Sequence, residues 1–336
     1  MNARAVYAVE KGTVRVNEFA VDEAALAPDE VLVRTHYTLI SPGTELDCIS
    51  GRESSWFKFP QQLGYCAAGE VVAAGGEVSR YAVGDRVLTP TPHASQVVID
   101  EGAVRGKVPD GVYLIDALWA HIALIAITAL RVSRAELGDT AVVVGQGLIG
   151  NLAAQLFRAQ GCRVIAVDRL APRLETARQC GIEAVVSSSI GSAVSAVREL
   201  THGVGAEIVI EATGSAAAAL EAAQMAARNS ELILLGTPRG SYQADIVPLL
   251  RAIHVAKENI TIKGAHTYSL PQLPDEFMKH SMGRNAEILL GMIQRSEIEV
   301  GPLMSMQARP EDAPAVYRQL RDQPEQVLGV VFDWTA

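Results

Sequence analysis

Thr140-Ala141-Val142-Val143-Val144-Gly145-Gln146-Gly147-Leu148-Ile149-Gly150 decides the fold of this chain. A β-branched run over 140–144 enters a Gly-x-Gly-x-x-Gly turn, and a helical pattern leaves it. A second apolar run over 163–167 ends on Asp168, 21 residues beyond Gly147. Gly145 permits a tight turn, Gly147 lets the backbone approach a pyrophosphate, and Gly150 lets helix and sheet pack closely. After Gln146 and Gly147, Leu148 and Ile149 open a helix whose free N–H groups and positive dipole end suit phosphates. Asp168 stands where a carboxylate accepts hydrogen bonds from both ribose hydroxyls and repels a 2′-phosphate. Its neighbour Arg169 complicates this, because a guanidinium there stacks on adenine or contacts a phosphate. Strand, turn, helix, strand and acid agree on a dinucleotide site, with NAD favoured over NADP.

Around this stretch the chain has room for two domains, at 336 residues. With 49% hydrophobic and 20% charged residues it reads as an ordinary globular protein. A formal charge of −9 argues against nucleic acid and anionic membrane as partners. Cys48, Cys66, Cys162 and Cys180 show no framework spacing, so a reduced, cytoplasmic setting is expected. The N-terminal residues lack the apolar region of a signal peptide. The most apolar segment, 118–130, is too short to cross a bilayer and carries His121, so it reads as a buried helix.

Residues 1 to 110 read as all-β, with strands over 5–9, 30–37, 68–74 and 85–89 separated by Gly, Pro and Asp turns. From Ile115 the pattern turns helical, and strands and helices then alternate as parallel βαβ units do. Strands are expected over 140–144, 163–167, 184–187, 206–211, 231–235 and 260–264. Helices are expected over 148–160, 173–180, 192–200, 216–227 and 248–256. The spacing predicts a doubly wound parallel sheet. Beyond residue 265 come a loop (268–275), helices over 284–295 and 311–320, and a last strand over 329–333 that should dock onto the first domain's sheet.

This order resembles the medium-chain dehydrogenase/reductase superfamily, which holds zinc alcohol dehydrogenases and quinone reductases. The matching segments are Leu63-Gly64-Tyr65-Cys66-Ala67-Ala68-Gly69-Glu70, Val83-Gly84-Asp85-Arg86-Val87, Lys107-Val108-Pro109-Asp110-Gly111 and Ile262-Lys263-Gly264. The resemblance implies an α/β chain: a GroES-like β-rich catalytic domain (1–121 and 266–336) and a Rossmann NAD-binding domain (122–265). It also implies an active site in the cleft between them and assembly as a homodimer or homotetramer.

Zinc enzymes of that superfamily supply a Cys, a His, and a Cys or Glu to the catalytic metal. Lined up by local sequence, this chain offers Ser41, Tyr65 and His121. Ser and Tyr are poor zinc ligands, so no zinc is expected. The structural-zinc lobe is shortened too, with only His93 in that region. A metal site from Cys66, Glu45 and His121 has no recognised ligand spacing. Ser41-Pro42-Gly43-Thr44-Glu45-Leu46 resembles a subgroup that oxidises sugars, cyclitols and bacteriochlorophyllide-type substrates.

The implied activity is zinc-independent, NAD-dependent dehydrogenation of a secondary hydroxyl, or reduction of the ketone, on a polar sugar-, polyol- or cyclitol-like substrate. Its alternatives are an NADPH-dependent quinone or enone reductase and a catalytically inactive nucleotide-binding regulator. The candidate catalytic residues are His121, Tyr65, Thr44, Glu45 and Ser41. His121 is either a core residue or the acid/base, its ordinary imidazole pKa suiting proton transfer. Tyr65 either packs or hydrogen-bonds the substrate oxygen. Thr44 and Glu45 are expected in a Pro-Gly loop, where Glu45 either orients a hydroxyl or makes an ion pair inside its own domain. Ser41 either assists or fills space. On the cofactor side, Thr213, Gly214, Gly236 and Thr237 follow strand ends at the edge where such sheets bind ligands. His254 and His266 flank the sixth strand and are expected at the surface.

Overall fold

A hairpin of β1 (Asn2–Glu10) and β2 (Thr13–Ala20) begins the computed structural model, which describes residues 2–52 and 57–336. Then come β3 (Glu30–Leu39), α1 (Pro42–Ile49), β4 (Gln61–Gln62), β5 (Ala67–Ala74), β6 (Arg86–Thr89), β7 (Gln96–Asp100) and β8 (Gly106–Lys107). The long apolar helix α2 (Leu114–Val132) follows. It is long and apolar enough to cross a membrane by composition, but 67% of that window is buried within the protein. The alternating region comprises β9 (Thr140–Val144), α3 (Leu148–Ala159), β10 (Arg163–Asp168), α4 (Ala171–Gln179), β11 (Ala184–Ser187) and α5 (Ala193–Leu200). It continues through β12 (Ala206–Glu211), α6 (Ala216–Ala223), β13 (Ala226–Leu234), α7 (Val247–His254) and β14 (Thr261–Gly264). The chain closes on α8 (Met282–Gln294), β15 (Met304–Ala308), α9 (Ala313–Asp322) and β16 (Gly329–Asp333).

Two units result. Unit 1 is Met1–Ile122, Leu270–Ser296 and Leu303–Ala336, and unit 2 is Ala123–Ser269 with Glu297–Pro302. Gln155 on α3 holds that last piece to unit 2: its Nε2 donates to the Glu299 carbonyl (3.0 Å) and its Oε1 accepts from the Glu299 N–H (2.7 Å).

Unit 2 is a six-stranded parallel sheet in the order β11-β10-β9-β12-β13-β14. Numbered within the unit this is 3-2-1-4-5-6, the doubly wound order, which reverses between β9 and β12. The central strands are apolar because both faces are covered: Ala141, Val142, Val143, Ile165, Ala166, Val209 and Ile210 are fully buried. Several boundaries differ from expectation, mostly by one or two residues. Helix α4 starts two residues early because Pro172 is tolerated in a first helical turn. Helix α6 ends at Ala223, and β13 begins at Ala226 with an irregularity around Asn229 (φ 58°).

Unit 1 holds a three-stranded sheet, β2-β1-β4, and a seven-stranded one, β15-β16-β3-β5-β6-β8 with β7 also on β3. The final strand does dock back: β16 runs antiparallel to β3, with Val331 opposite Leu39. Its Phe332 is fully buried with Ile40, Leu63, Tyr317 and Trp334. Ile40 and Leu63 lead directly into the segments that carry Ser41 and Tyr65, so this cluster sets where both start.

The 42–49 segment is a helix and not the expected Pro-Gly loop. Ser41 is its N-cap and Pro42 sits in the first turn, where a fixed φ is pre-set for helix and no N–H is missed.

Candidate active site

In unit 1 the Tyr65 hydroxyl donates to Ser41 Oγ and is also bonded to the Thr44 side chain. The His121 ring lies 5.8 Å from the Tyr65 ring, tilted by 47°. Ser41, Thr44, Tyr65 and His121, distant in sequence, are therefore one cluster. Tyr65 is only partly exposed, and burial pushes its hydroxyl up to about 12 against the opposing bonds from Ser41 and Thr44. It keeps its proton at neutral pH.

His121 does not retain an ordinary imidazole pKa. It is 6% exposed and its Nδ1 is buried without a hydrogen-bond partner. Burial first, then the charge of Arg105, pulls the imidazole down to about 3. This weighs against the acid/base reading and toward the core one, because a base works best with a pKa near the operating pH. If His121 is catalytically silent as a base, kcat/KM should show no acid limb near 6.5, the ordinary imidazole value. A limb centred there in a pH–rate profile would restore the base role.

Of the two readings of Glu45, the structure carries the partnership inside its own domain and not the substrate-facing one. Glu45 is 2% exposed, and both carboxylate oxygens point into unit 1. Oε1 accepts the Ser41 N–H (2.7 Å), and Oε2 accepts from His93 Nε2 (2.9 Å) and from the Tyr317 hydroxyl. No oxygen is left aimed at a ligand.

The resemblance raises zinc, and the donor set does not fit it. Catalytic zinc takes about three Cys, His or carboxylate ligands. Here two of the positions carry hydroxyls bonded to each other. Cys66, fully buried, donates its thiol to the Leu118 carbonyl (3.3 Å), and burial holds it far above the ordinary thiol pKa. Among the described residues no group of three or more His, Cys, Asp or Glu side chains comes together as metal ligands.

In unit 2 the glycine turn has the geometry its residue types imply. Gly145 takes φ 94°, and a Cβ there would lie 2.6 Å from Thr213 Cγ2. A Cβ on Gly150 would lie 1.8 Å from the Gly145 carbonyl oxygen, whereas one on Gly147 would meet nothing within 4 Å. The first intrahelical bond of α3 runs from Asn151 N–H to the Gly147 carbonyl (2.9 Å), and no side chain caps the helix. The N–H groups of Leu148, Ile149 and Gly150 are thus set for an anion. Gln146 contributes backbone only: its amide turns inward to the Val143 carbonyl (3.0 Å).

Asp168 ends β10 and is 6% exposed. Its Oδ2 accepts the Gln146 N–H (2.6 Å) and its Oδ1 the Leu170 N–H (2.8 Å), so it ties the glycine turn to the second strand. Each oxygen keeps a further lone pair for a ribose hydroxyl. Arg169 is exposed beside it. Arg173, which sequence reasoning missed, lies within reach of Asp168's field, and burial holds its guanidinium below its ordinary value.

Thr213, Gly214, Gly236 and Thr237 also come together. Glu211, another residue missed, accepts from the Thr213 N–H (2.7 Å), the Thr213 hydroxyl and the Gly214 N–H (3.1 Å). A Cβ on Gly236 would lie 2.2 Å from Gly214 N, and one on Gly214 would lie 2.3 Å from the Thr237 carbonyl oxygen. The loops after β12 and β13 therefore touch backbone to backbone, at the sheet edge that holds the glycine turn. A dinucleotide fits this edge: open space over Gly147, uncapped N–H groups and a strand-end carboxylate. His254 and His266 are both exposed, as expected.

The description of an alcohol dehydrogenase GroES-like domain matches residues 27–108, and that of a zinc-binding dehydrogenase matches residues 149–281. The D-guloside 3-dehydrogenase of Escherichia coli is 32% identical over 286 residues, covering 81% of this chain and 77% of that protein. The sorbitol dehydrogenase of Bacillus subtilis is 25% identical over 274 residues, covering 72% and 76%. The crystal structure of Escherichia coli galactitol-1-phosphate dehydrogenase superposes with a TM-score of 0.84 at 18% identity, over 98% of this chain and 99% of that one, a likeness of fold alone. The chain belongs to the alcohol-dehydrogenase-like medium-chain dehydrogenase/reductase family and is an oxidoreductase.

Proposed function

We propose that this protein is a zinc-independent, NAD-dependent dehydrogenase acting on a secondary hydroxyl, or the corresponding ketone, of a polar sugar-, polyol- or cyclitol-like substrate. The observation that carries this is the cluster of Ser41, Thr44, Tyr65 and His121, with hydroxyls at positions where the family's zinc enzymes have ligands. The D-guloside and sorbitol dehydrogenase relatives support the substrate class.

When bound, a nicotinamide ring supplies the hydride acceptor. The protein's own task is the oxygen from which the proton leaves. Without a metal, hydrogen-bond donors must stabilise the developing alkoxide. Tyr65, neutral to about 12, is such a donor. Its hydroxyl donates to Ser41 Oγ. Hydroxyl hydrogens rotate, so in oxidation the substrate's proton passes to Tyr65 Oη while Tyr65's own proton moves to Ser41 Oγ and on to water. In ketone reduction the same chain runs in reverse, Tyr65 giving its proton to the forming alkoxide. Thr44 lies on the same hydroxyl and extends the route by which the proton leaves. Neutral His121 orients the tyrosine ring.

Asp168 underlies the preference for NAD. Asp168→Ala should weaken NAD binding about tenfold or more, on the order of 1.4 kcal/mol, and narrow the gap to NADP. Fluorescence titration with each cofactor checks this, and an unchanged preference would remove the ribose role. Self-association into a homodimer or homotetramer is part of the proposal: β14 leaves one edge unpaired, and α7 exposes Val247, Leu250 and Ile253. A monomeric mass in light scattering would exclude it.

The deciding experiment follows NAD reduction with sorbitol, methyl glycosides and inositols, before and after dialysis against a chelator. Turnover that survives chelation is expected. Activity lost to the chelator and restored by zinc would overturn the metal-free mechanism, and preferential turnover of enones with NADPH would favour the reductase alternative.

A further inference from the structure

We propose that buried His93 and Glu45 form a positioning device that holds the Ser41 and Tyr65 hydroxyls together, a role that rests on the dehydrogenase function proposed above. The two hydroxyls come from different segments, the N-cap of α1 and the turn before β5. Each is fixed by His93 in a different way.

The first route runs through Glu45. An N-cap serine ordinarily spends its Oγ on a backbone N–H of the first helical turn. Ser41 does not: its side chain makes no capping bond. Glu45, one turn into the helix, instead reaches back and accepts the Ser41 N–H (2.7 Å). Ser41 Oγ is thereby left for Tyr65. A carboxylate this buried is tolerated only when its oxygens are well supplied with donors. His93 Nε2 (2.9 Å) and the Tyr317 hydroxyl provide them on the other oxygen. His93 and Tyr317 therefore aim the carboxylate that frees the serine.

The second route is direct. His93 is fully buried, and its backbone N–H donates to the Leu63 carbonyl (2.8 Å), a bond that any residue but proline at 93 would make; the ring adds a contact of its own. It lies flat against Gly64, the residue before Tyr65: a Cβ on Gly64 would come within 2.6–2.7 Å of three ring atoms. The ring also meets Phe332 in a T-shaped contact, with ring centroids 5.3 Å apart. A single imidazole thus locates the backbone that carries Tyr65 and, through Glu45, the helix end that carries Ser41. A histidine spent only on core packing would not need both.

The test compares His93→Ala, His93→Gln and Tyr65→Phe. Protein labelled at the hydroxyl-bearing ring carbon of tyrosine gives an NMR signal for Tyr65, assigned by its loss in Tyr65→Phe. Titration of that signal reads the hydroxyl's surroundings without any substrate; the groups that act on it are Ser41, Thr44, Glu45 and Cys66. In His93→Ala the hydroxyl loses the Ser41 bond that opposes burial, so it should titrate higher than in the parent, and its carbon signal should move already at neutral pH. In His93→Gln, whose amide can still donate to Glu45, most of the shift should be reversed. Turnover should fall about tenfold or more in His93→Ala with the KM for NAD unchanged, and recover in His93→Gln. A folded His93→Ala protein whose Tyr65 titrates as in the parent overturns the proposal. If His93→Ala does not fold, Tyr317→Phe takes its place: it removes one donor from Glu45 and leaves no cavity, and an unmoved Tyr65 titration there is equally fatal. Full activity in Tyr65→Phe would instead sink the dehydrogenase assignment of the cluster, an outcome read independently of the titration.

Discussion

Tyr65→Phe is expected to lower kcat by about 10²–10³, the usual cost of losing one donor to a developing oxyanion. The ring remains, so its packing against His121 is kept. What goes is the proton that the chain Ser41–Tyr65 can turn toward the substrate oxygen. The stability cost should be modest, about 1–3 kcal/mol, because Ser41 Oγ is left without its donor in a nearly buried position. NAD affinity should not change, since Tyr65 belongs to unit 1 and the glycine turn to unit 2. Steady-state kinetics with an NAD titration separates the two quantities. A loss confined to KM would mean that Tyr65 binds the ground state and transition state equally.

The second large effect is a contrast between two alanines. Gly147→Ala adds a methyl that meets nothing within 4 Å, so the folded protein should tolerate it with an unchanged Tm. The same methyl occupies the space a pyrophosphate needs, so NAD binding should fall about a hundredfold or more, roughly 2.7 kcal/mol. Gly150→Ala places its Cβ 1.8 Å from the Gly145 carbonyl oxygen, a backbone atom that cannot swing aside. Overpacking of that kind costs about 1–3 kcal/mol or more, so this variant should lose stability as well as cofactor. Thermal melts and binding titrations on both proteins decide the matter. Gly147→Ala binding NAD normally would deny the turn its cofactor role; Gly150→Ala melting normally would deny the close helix–sheet contact.

The nucleotide-binding half was legible in the sequence because its signals are local. Strands expected over 140–144, 184–187 and 206–211 form at those residues, since each is a short apolar run bounded by turn residues. The glycines could be assigned separate tasks because a missing side chain has few uses. The substrate half was only partly legible. Ser41-Pro42 followed by Glu45 carries a helix-start signal, but it lies among turn-rich strands and reads as a loop. His121 and Tyr65 were named, yet the depressed imidazole comes from burial and from Arg105, neither of which has a sequence signature. Glu45, His93 and Tyr317 meet across separations of 48 and 272 residues. No periodicity links such partners; only the folded sheet brings them within hydrogen-bonding distance.

The pairing of β16 with β3 has a consequence for how the protein is made. The sheet of unit 1 needs residues from both ends of the chain: Leu39 opposite Val331, and Tyr37 opposite Asp333. During synthesis the whole run Ala123–Ser269 leaves the ribosome before β15 and β16 exist. Unit 2 can therefore fold while unit 1 still lacks one side of its large sheet and the Phe332 that fills its core. Over that interval the Tyr37–Leu39 end of β3 offers unpaired backbone to any passing strand. The half that carries the hydroxyl cluster is thus the last to complete its sheet, and until then it presents the open strand edge on which chains aggregate.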